Sequence, residues 1–135
     1  MRAYLSPPLL DDLGKLLLRL TLGSLILFHG VAKLRHGIDP LQGMLQAASL
    51  PGVLGYGVYL GEVLGPLLLI TGYYGRIGAG LIAINMVIAI LLVHTHEILS
   101  LTEQGGWRLE LQGMFLFTAL ALVLTGPGRL ALHPR

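Results

Sequence analysis

The chain has 135 residues, of which 54% are hydrophobic and only 12% charged, with a formal net charge of +2 and no cysteine. A soluble domain carries roughly twice that charge fraction, and a mean hydropathy of +0.76 leaves too little polar surface to coat a water-soluble core. Disulfides, cysteine-ligated zinc, iron–sulfur clusters and CxxC dithiol chemistry are excluded. So is a nucleic-acid partner, because the basic residues sit singly beside apolar spans instead of forming a patch.

The opening MRAYLSPPLLDDLGK has prolines and two aspartates but no short apolar core, so the first hydrophobic span is expected to remain in the mature protein. Four apolar stretches approach the roughly 20 residues that cross a bilayer. They cover 13–34, 54–74, 77–93 and 109–125. Backbone groups in lipid must be satisfied within the segment, so all four are predicted to be helices. The expected fold is all-α: a polytopic membrane four-helix bundle, one domain over residues 1–135. Only Gly75 and Arg76 separate the second and third stretches, which predicts a tight antiparallel hairpin.

Between the first two spans, Asp39 and Pro40 read as N-cap and first helical residue, and Pro51-Gly52 as a stop. A helix over 40–49 is too short to span, so it is expected at the interface, either covering the bundle mouth or acting as a lid. On the predicted second helix Gly57, Gly61 and Gly65 form a GxxxGxxxG row, with Gly75, Gly78 and Gly80 at the start of the third. Such rows let backbones approach closely in lipid, here within the bundle or, as the alternative, in a homo-oligomer.

Arg2, Lys15, Arg76, Arg129 and Arg135 share one side of this topology, against Lys33, Arg35 and Arg108 on the other. The bias predicts both termini cytoplasmic, in a multi-pass protein of the inner (plasma) membrane. Tyr73, Tyr74 and Trp107 lie at span ends, where interfacial aromatics anchor a helix.

Ionisable groups inside spans are costly, so each is a candidate for function. At about 100° per residue, Lys15, Arg19, Gly23, Gly30 and Lys33 form one stripe, with His29 at its edge, and this stripe is expected to face the bundle. Arg19 is deep enough to need a carboxylate or carbonyl partner. Glu62 lies about 12 Å inside the second span, where a carboxylate is either protonated or paired; His29 and Glu110 are the expected partners. Tyr59 is a turn away, Asn85 lies midway along the third span, His94 and His96 close it, and Glu110 opens the fourth. Face geometry favours His96 as the neighbour of Asn85.

Several chemistries could use this cluster. Imidazoles and carboxylates ligate iron, zinc or copper, but the Glu-x-x-His spacing of di-iron bundles is missing, and no metal ligands are assigned. A haem between His29 and His94 would sit too near the interface. A quinone headgroup needs His, Tyr or Glu donors beside an apolar slot, which this composition offers. The bland alternative is an interhelical polar network that only fixes helix register.

LLLRLTLGSLILFHGVAKL, GEVLGPLLLITGYYGRIGAGL, MVIAILLVH and the closing TGPGRLAL together resemble the DoxX family of small four-helix membrane proteins. The match covers nearly the whole chain in motif order; the tail departs from the family's Ser-Leu-Asp, having Ala131, Leu132 and His133. The resemblance implies that Arg19, His29, Lys33, Glu62, His94 and Glu110 are the family's polar positions, and it favours His94 over His96. The family takes its name from the membrane component of a thiosulfate:quinone oxidoreductase. The expectation is therefore a quinone-associated membrane subunit with a soluble or membrane redox partner, in which Glu62 and His29 exchange protons. Arg19, Lys33, Tyr59, Asn85, His94 and Glu110 would bind or orient. A non-catalytic scaffold or assembly factor is the rival reading, and a metal-handling protein the third.

Overall fold

The computed structural model describes residues 7–133; Arg2 and Arg135, counted above for orientation, lie outside them. The described chain is helical: α1 covers Pro7–His36, α2 Asp39–Ala47, α3 Gly65–Thr71, α4 Gly75–Val93 and α5 Glu110–Thr125. Among the described residues, three rods are long and apolar enough to cross a membrane: Pro7–His36, Gly52–Thr71 and Gly75–Leu92. The fourth apolar helix, α5, is shorter at 16 residues.

α1 begins six residues before the apolar run. Pro7 and Pro8 suit the first helical turn, where an amide proton has no intrahelical acceptor. It ends on Lys33, Arg35 and His36, cations that complement the helix C-terminus. Gly37 then turns left-handed at φ +82°. α2 stops at Ala47, two residues short of the predicted end, and Ser49 adopts φ +62°. Pro51 follows, and the second rod begins as a 3-10 stretch, Gly52–Gly57.

The hairpin between the second and third rods also differs from the sequence expectation. Gly72 takes a left-handed conformation (φ +75°) and donates its amide to the carbonyls of Leu68 and Leu69, ending α3. Tyr74, also left-handed at φ +53°, opens α4. The link is thus residues 72–74, and α4 starts at Gly75.

The rods pack around Leu22, Ile26, Leu69, Ile82, Phe115, Ala119 and Leu122. α4 lies between the second rod and α5, and α1 packs mainly on the second rod. Small residues set these spacings. A side chain on Gly65 would press on the Gly78 carbonyl, and one on Gly78 on the Gly65 carbonyl. Gly57 and Gly80 face open space, so only part of the glycine row is a helix contact. Large apolar side chains such as Leu17, Phe28, Phe117 and Leu124 point outward, as a helix surface solvated by lipid requires.

Candidate functional site

Glu62 is set by an irregularity in the second rod. Pro66 has no amide proton to return to the carbonyl of Glu62, four residues earlier. There the backbone widens into a π turn, Leu60–Leu64, closed by the Gly65 amide on the Leu60 carbonyl. Such turns put an extra residue into a helix and recur at functional sites. Two glycines make room for it. Gly30 of α1 lies directly on the Glu62 backbone carbonyl, and Gly61 on the side chain of Asn85 from α4, each too close for a Cβ.

The Glu62 side chain, 5% exposed, is held by two other helices. Lys33 of α1 donates from Nζ to Oε1 at 2.7 Å and to Oε2 at 2.6 Å. Asn85 of α4 donates from Nδ2 to Oε2 at 3.1 Å. The Tyr59 hydroxyl donates to the backbone carbonyl of Lys33 at 3.1 Å, tying the end of α1 to the second rod. Removing two ions from water costs several kcal/mol each, by rough estimate, and only close pairing with further hydrogen bonds offsets it. Here both carboxylate oxygens are bonded, while Lys33 keeps 37% of its side chain exposed.

A cavity of about 580 Å³ opens beside this pair. Ile26, His29 and Lys33 line it from α1, and Pro40, Leu41, Met44 and Leu45 of α2 form one wall. Val58, Gly61 and Glu62 come from the second rod, Ile84, Asn85 and Ala89 from α4, and Leu111, Gln112 and Phe115 from α5. The lining is mostly apolar with a few polar groups, three of them bonded together, and the volume falls in the range of small-molecule sites.

The polar residues expected at one site divide into two groups. Lys33, Glu62 and Asn85 are bonded together, with Tyr59 on the Lys33 backbone. His29 lines the cavity but is exposed and packs edge-on against Phe115, ring centroids 6.2 Å apart. His94 also lines it, with Nδ1 3.4 Å from a Glu97 oxygen. The expected partners of Glu62, His29 and Glu110, are replaced by Lys33 and Asn85. Lys33 is one turn beyond His29 on the same face, and its longer side chain reaches the carboxylate. Glu110 is exposed in the first turn of α5 with its carboxylate over Gly106, and its neighbours Leu111 and Gln112 line the cavity instead. His96 is 78% exposed. α4 stops at Val93 and His94 is no longer helical (φ −117°, ψ 13°), so a helical projection past that point fails.

Arg19 is elsewhere. Fourteen residues from Lys33, about 21 Å along α1, it is 1% exposed and donates only to backbone carbonyls. Nε reaches Leu69 at 2.9 Å and Nη2 reaches Ile70 at 3.0 Å; Nη1 reaches Leu130 at 2.8 Å and Pro127 at 3.2 Å. The first two are last-turn carbonyls of α3, a turn whose carbonyls run out of helical donors; that of Leu69 is shared with the Gly72 amide at 3.2 Å. Arg19 therefore caps one helix and binds the tail to it. Asp12, read from sequence only as part of the N-terminal flank, completes the clasp. It accepts from Arg129 Nε at 2.6 Å and from the Arg129 amide at 3.1 Å. His133 stacks on Tyr74 at 4.7 Å.

Gln112 and Phe115 were also missed. Gln112 is the one amide side chain in α5, a signal comparable to that of Asn85 in α4; Phe115 is an aromatic among apolar residues and carried none. Among the described residues no group of three or more His, Asp or Glu side chains has the geometry to hold a metal.

Comparison with known proteins agrees with this architecture. The DoxX family model matches residues 14–95, from α1 to the end of α4, a stretch containing Arg19, His29, Lys33, Glu62, Asn85 and His94. A protein of Bacillus subtilis (strain 168) named "Putative oxidoreductase CatD" is 30% identical over 123 residues, 91% of this chain and 87% of that protein. No solved structure matches. With a family match over more than half its length and a relative aligned over 91% of it, this chain belongs to the DoxX family.

Proposed function

We propose that the protein is an integral membrane subunit working with an oxidoreductase, and that its cavity receives a quinone headgroup. The observation that carries this reading is the Lys33–Glu62–Asn85 cluster at the wall of a mostly apolar cavity of about 580 Å³. Lys33 spends two N–H bonds on Glu62, and its third can reach a ligand carbonyl. Asn85 has a second amide hydrogen and a carbonyl oxygen to offer. Phe115 and the aliphatic walls suit a ring, and His29 and His94 at the cavity wall can return protons to Glu62. Reduction of a quinone takes two electrons and two protons; the electrons come from a cofactor of the partner, since this chain's residues supply only protons and positioning. The oxidoreductase name of the Bacillus relative supports the association.

In this reading α5 is the fourth crossing. At about 24 Å it is short for a hydrocarbon core of about 30 Å, a mismatch that local thinning accommodates. Both termini are cytoplasmic in the inner membrane, which puts the cavity in the outer half of the bundle. A second reading, a non-catalytic scaffold, is favoured by one observation: both Glu62 oxygens and every Arg19 nitrogen are bonded within the protein itself.

Quinone measured in lipid extracts of the purified protein discriminates between the two. The proposal expects quinone enriched over bulk lipid, and lost in Lys33→Met, which removes the donor to the ligand carbonyl, with the fold intact. Quinone at the bulk level in the wild type supports the scaffold.

A further inference from the structure

We infer that the cavity takes a weakly acidic hydroxyl compound, a phenol or hydroquinone, in its neutral form and holds it as the oxyanion, with Glu62 receiving the proton. This rests on the reading of the cavity as a ring-binding site and adds the chemical form in which the ligand is held.

The reasoning starts from charge. Lys33 and Glu62 form a neutral pair in a region where an uncompensated charge is costly. An anion entering alone would leave the site net negative, and a cation net positive. A neutral acid leaves the total unchanged whichever group carries its proton. The geometry gives the hand-over a direction. Lys33 and Glu62 both line the cavity, so an arriving hydroxyl can accept from the ammonium through its oxygen while its proton faces the carboxylate beside it. The ligand O–H bond breaks, its proton forms an O–H bond on Glu62, and the electron pair stays on the ligand oxygen. Lys33 then transfers its ion pair from the carboxylate to that oxygen. Nothing is oxidised or reduced.

Asn85 can serve both states. Its Nδ2 donates to the carboxylate, and after amide rotation its Oδ1 can accept from the carboxylic acid. The other titratable groups near the pair are His29 on α1, Tyr59 on the second rod and His94 at the end of α4. α2 and α5 present apolar side chains and Gln112 to the cavity. None of these makes a hydrogen bond to Glu62, so Glu62 is the base closest to the Lys33 ammonium.

The test uses the purified full-length protein with two probes, para-nitrophenol, whose phenolate absorbs in the visible, and duroquinone, which has no acidic proton. At a pH well below the solution pKa of the phenol, the wild type should show the bound phenolate band. Glu62→Gln should lose that band while still retaining duroquinone. Lys33→Met should weaken phenol retention by about tenfold or more, the loss of a charge-assisted hydrogen bond. Binding of the phenol in neutral form overturns the inference, as does a phenolate band of wild-type strength in Glu62→Gln, which would assign the proton to another base such as His29. If duroquinone is retained but the phenol is not ionised, the quinone reading survives alone. If neither probe is retained, both readings fall.

Discussion

The Cα of Gly30 lies against the backbone carbonyl of Glu62, and one turn further along α1 the Lys33 ammonium holds that residue's carboxylate. The two contacts depend on each other. Only without a side chain at position 30 can α1 approach closely enough for Lys33 to bond both carboxylate oxygens. The carbonyl that Gly30 meets is the one Pro66 leaves without its usual helical donor, so a backbone irregularity and an ion pair share one close helix crossing.

Gly30→Ala should therefore destabilise the protein by about 1–3 kcal/mol, an overpacking cost at a contact between backbones. Gly14→Ala, with nothing within 4 Å, should be neutral or stabilising by up to about 1 kcal/mol, since glycine is a poor helix former. Thermal melting of both variants in detergent checks this. Equal melting temperatures would mean that the α1 crossing is looser than described.

The Lys33–Glu62 pair predicts a strong coupling. Glu62→Leu leaves an ammonium without its counter-ion and should cost about 1–3 kcal/mol, less than for a fully buried pair because Lys33 is partly exposed. Lys33→Met combined with Glu62→Leu should recover much of that loss, whereas two independent sites would add. Glu62→Gln, which keeps its shape and the contact with Asn85, should be the mildest of the three. A double-mutant cycle by denaturant unfolding gives the coupling directly.

Arg19 should resist conservative replacement. Its planar fork serves four carbonyls on two segments, which an ammonium cannot do. Arg19→Lys and Arg19→Met should each cost about 2–4 kcal/mol and expose the tail after Gly126 to carboxypeptidase. Asp12→Asn and Arg129→Gln should loosen the same tail, and combining them should add little, because each removes the same contact. A tail that stays protected in Arg19→Met would show that the clasp is held by other means.

Membrane orientation makes a separate prediction. Reporters fused to either terminus should read cytoplasmic, and Glu103→Cys should be labelled by an impermeant thiol reagent from outside; the native chain has no cysteine to interfere. Labelling of a terminal cysteine from outside would invert the assignment and move the cavity to the cytoplasmic half.

Composition and hydropathy were enough to determine a helical membrane protein, because bilayer length and backbone hydrogen bonding leave few alternatives. They also identified the inward stripe of α1, since small and basic residues recur on one helical face, and they singled out Glu62, Lys33 and Asn85, since polar groups in apolar runs are conspicuous. Which of those groups meet was decided only by tertiary structure. Helical phase says which way a residue points but not how far a side chain reaches, so Lys33 holds Glu62 where His29 was expected. It also carries no information past a helix end, which is why His94, beyond the last turn of α4, lines the cavity while His96 does not. The clasp of Arg19 and Asp12 on the tail joins residues more than a hundred positions apart. Contacts at that separation, to backbone carbonyls that every residue possesses, leave no pattern in the sequence.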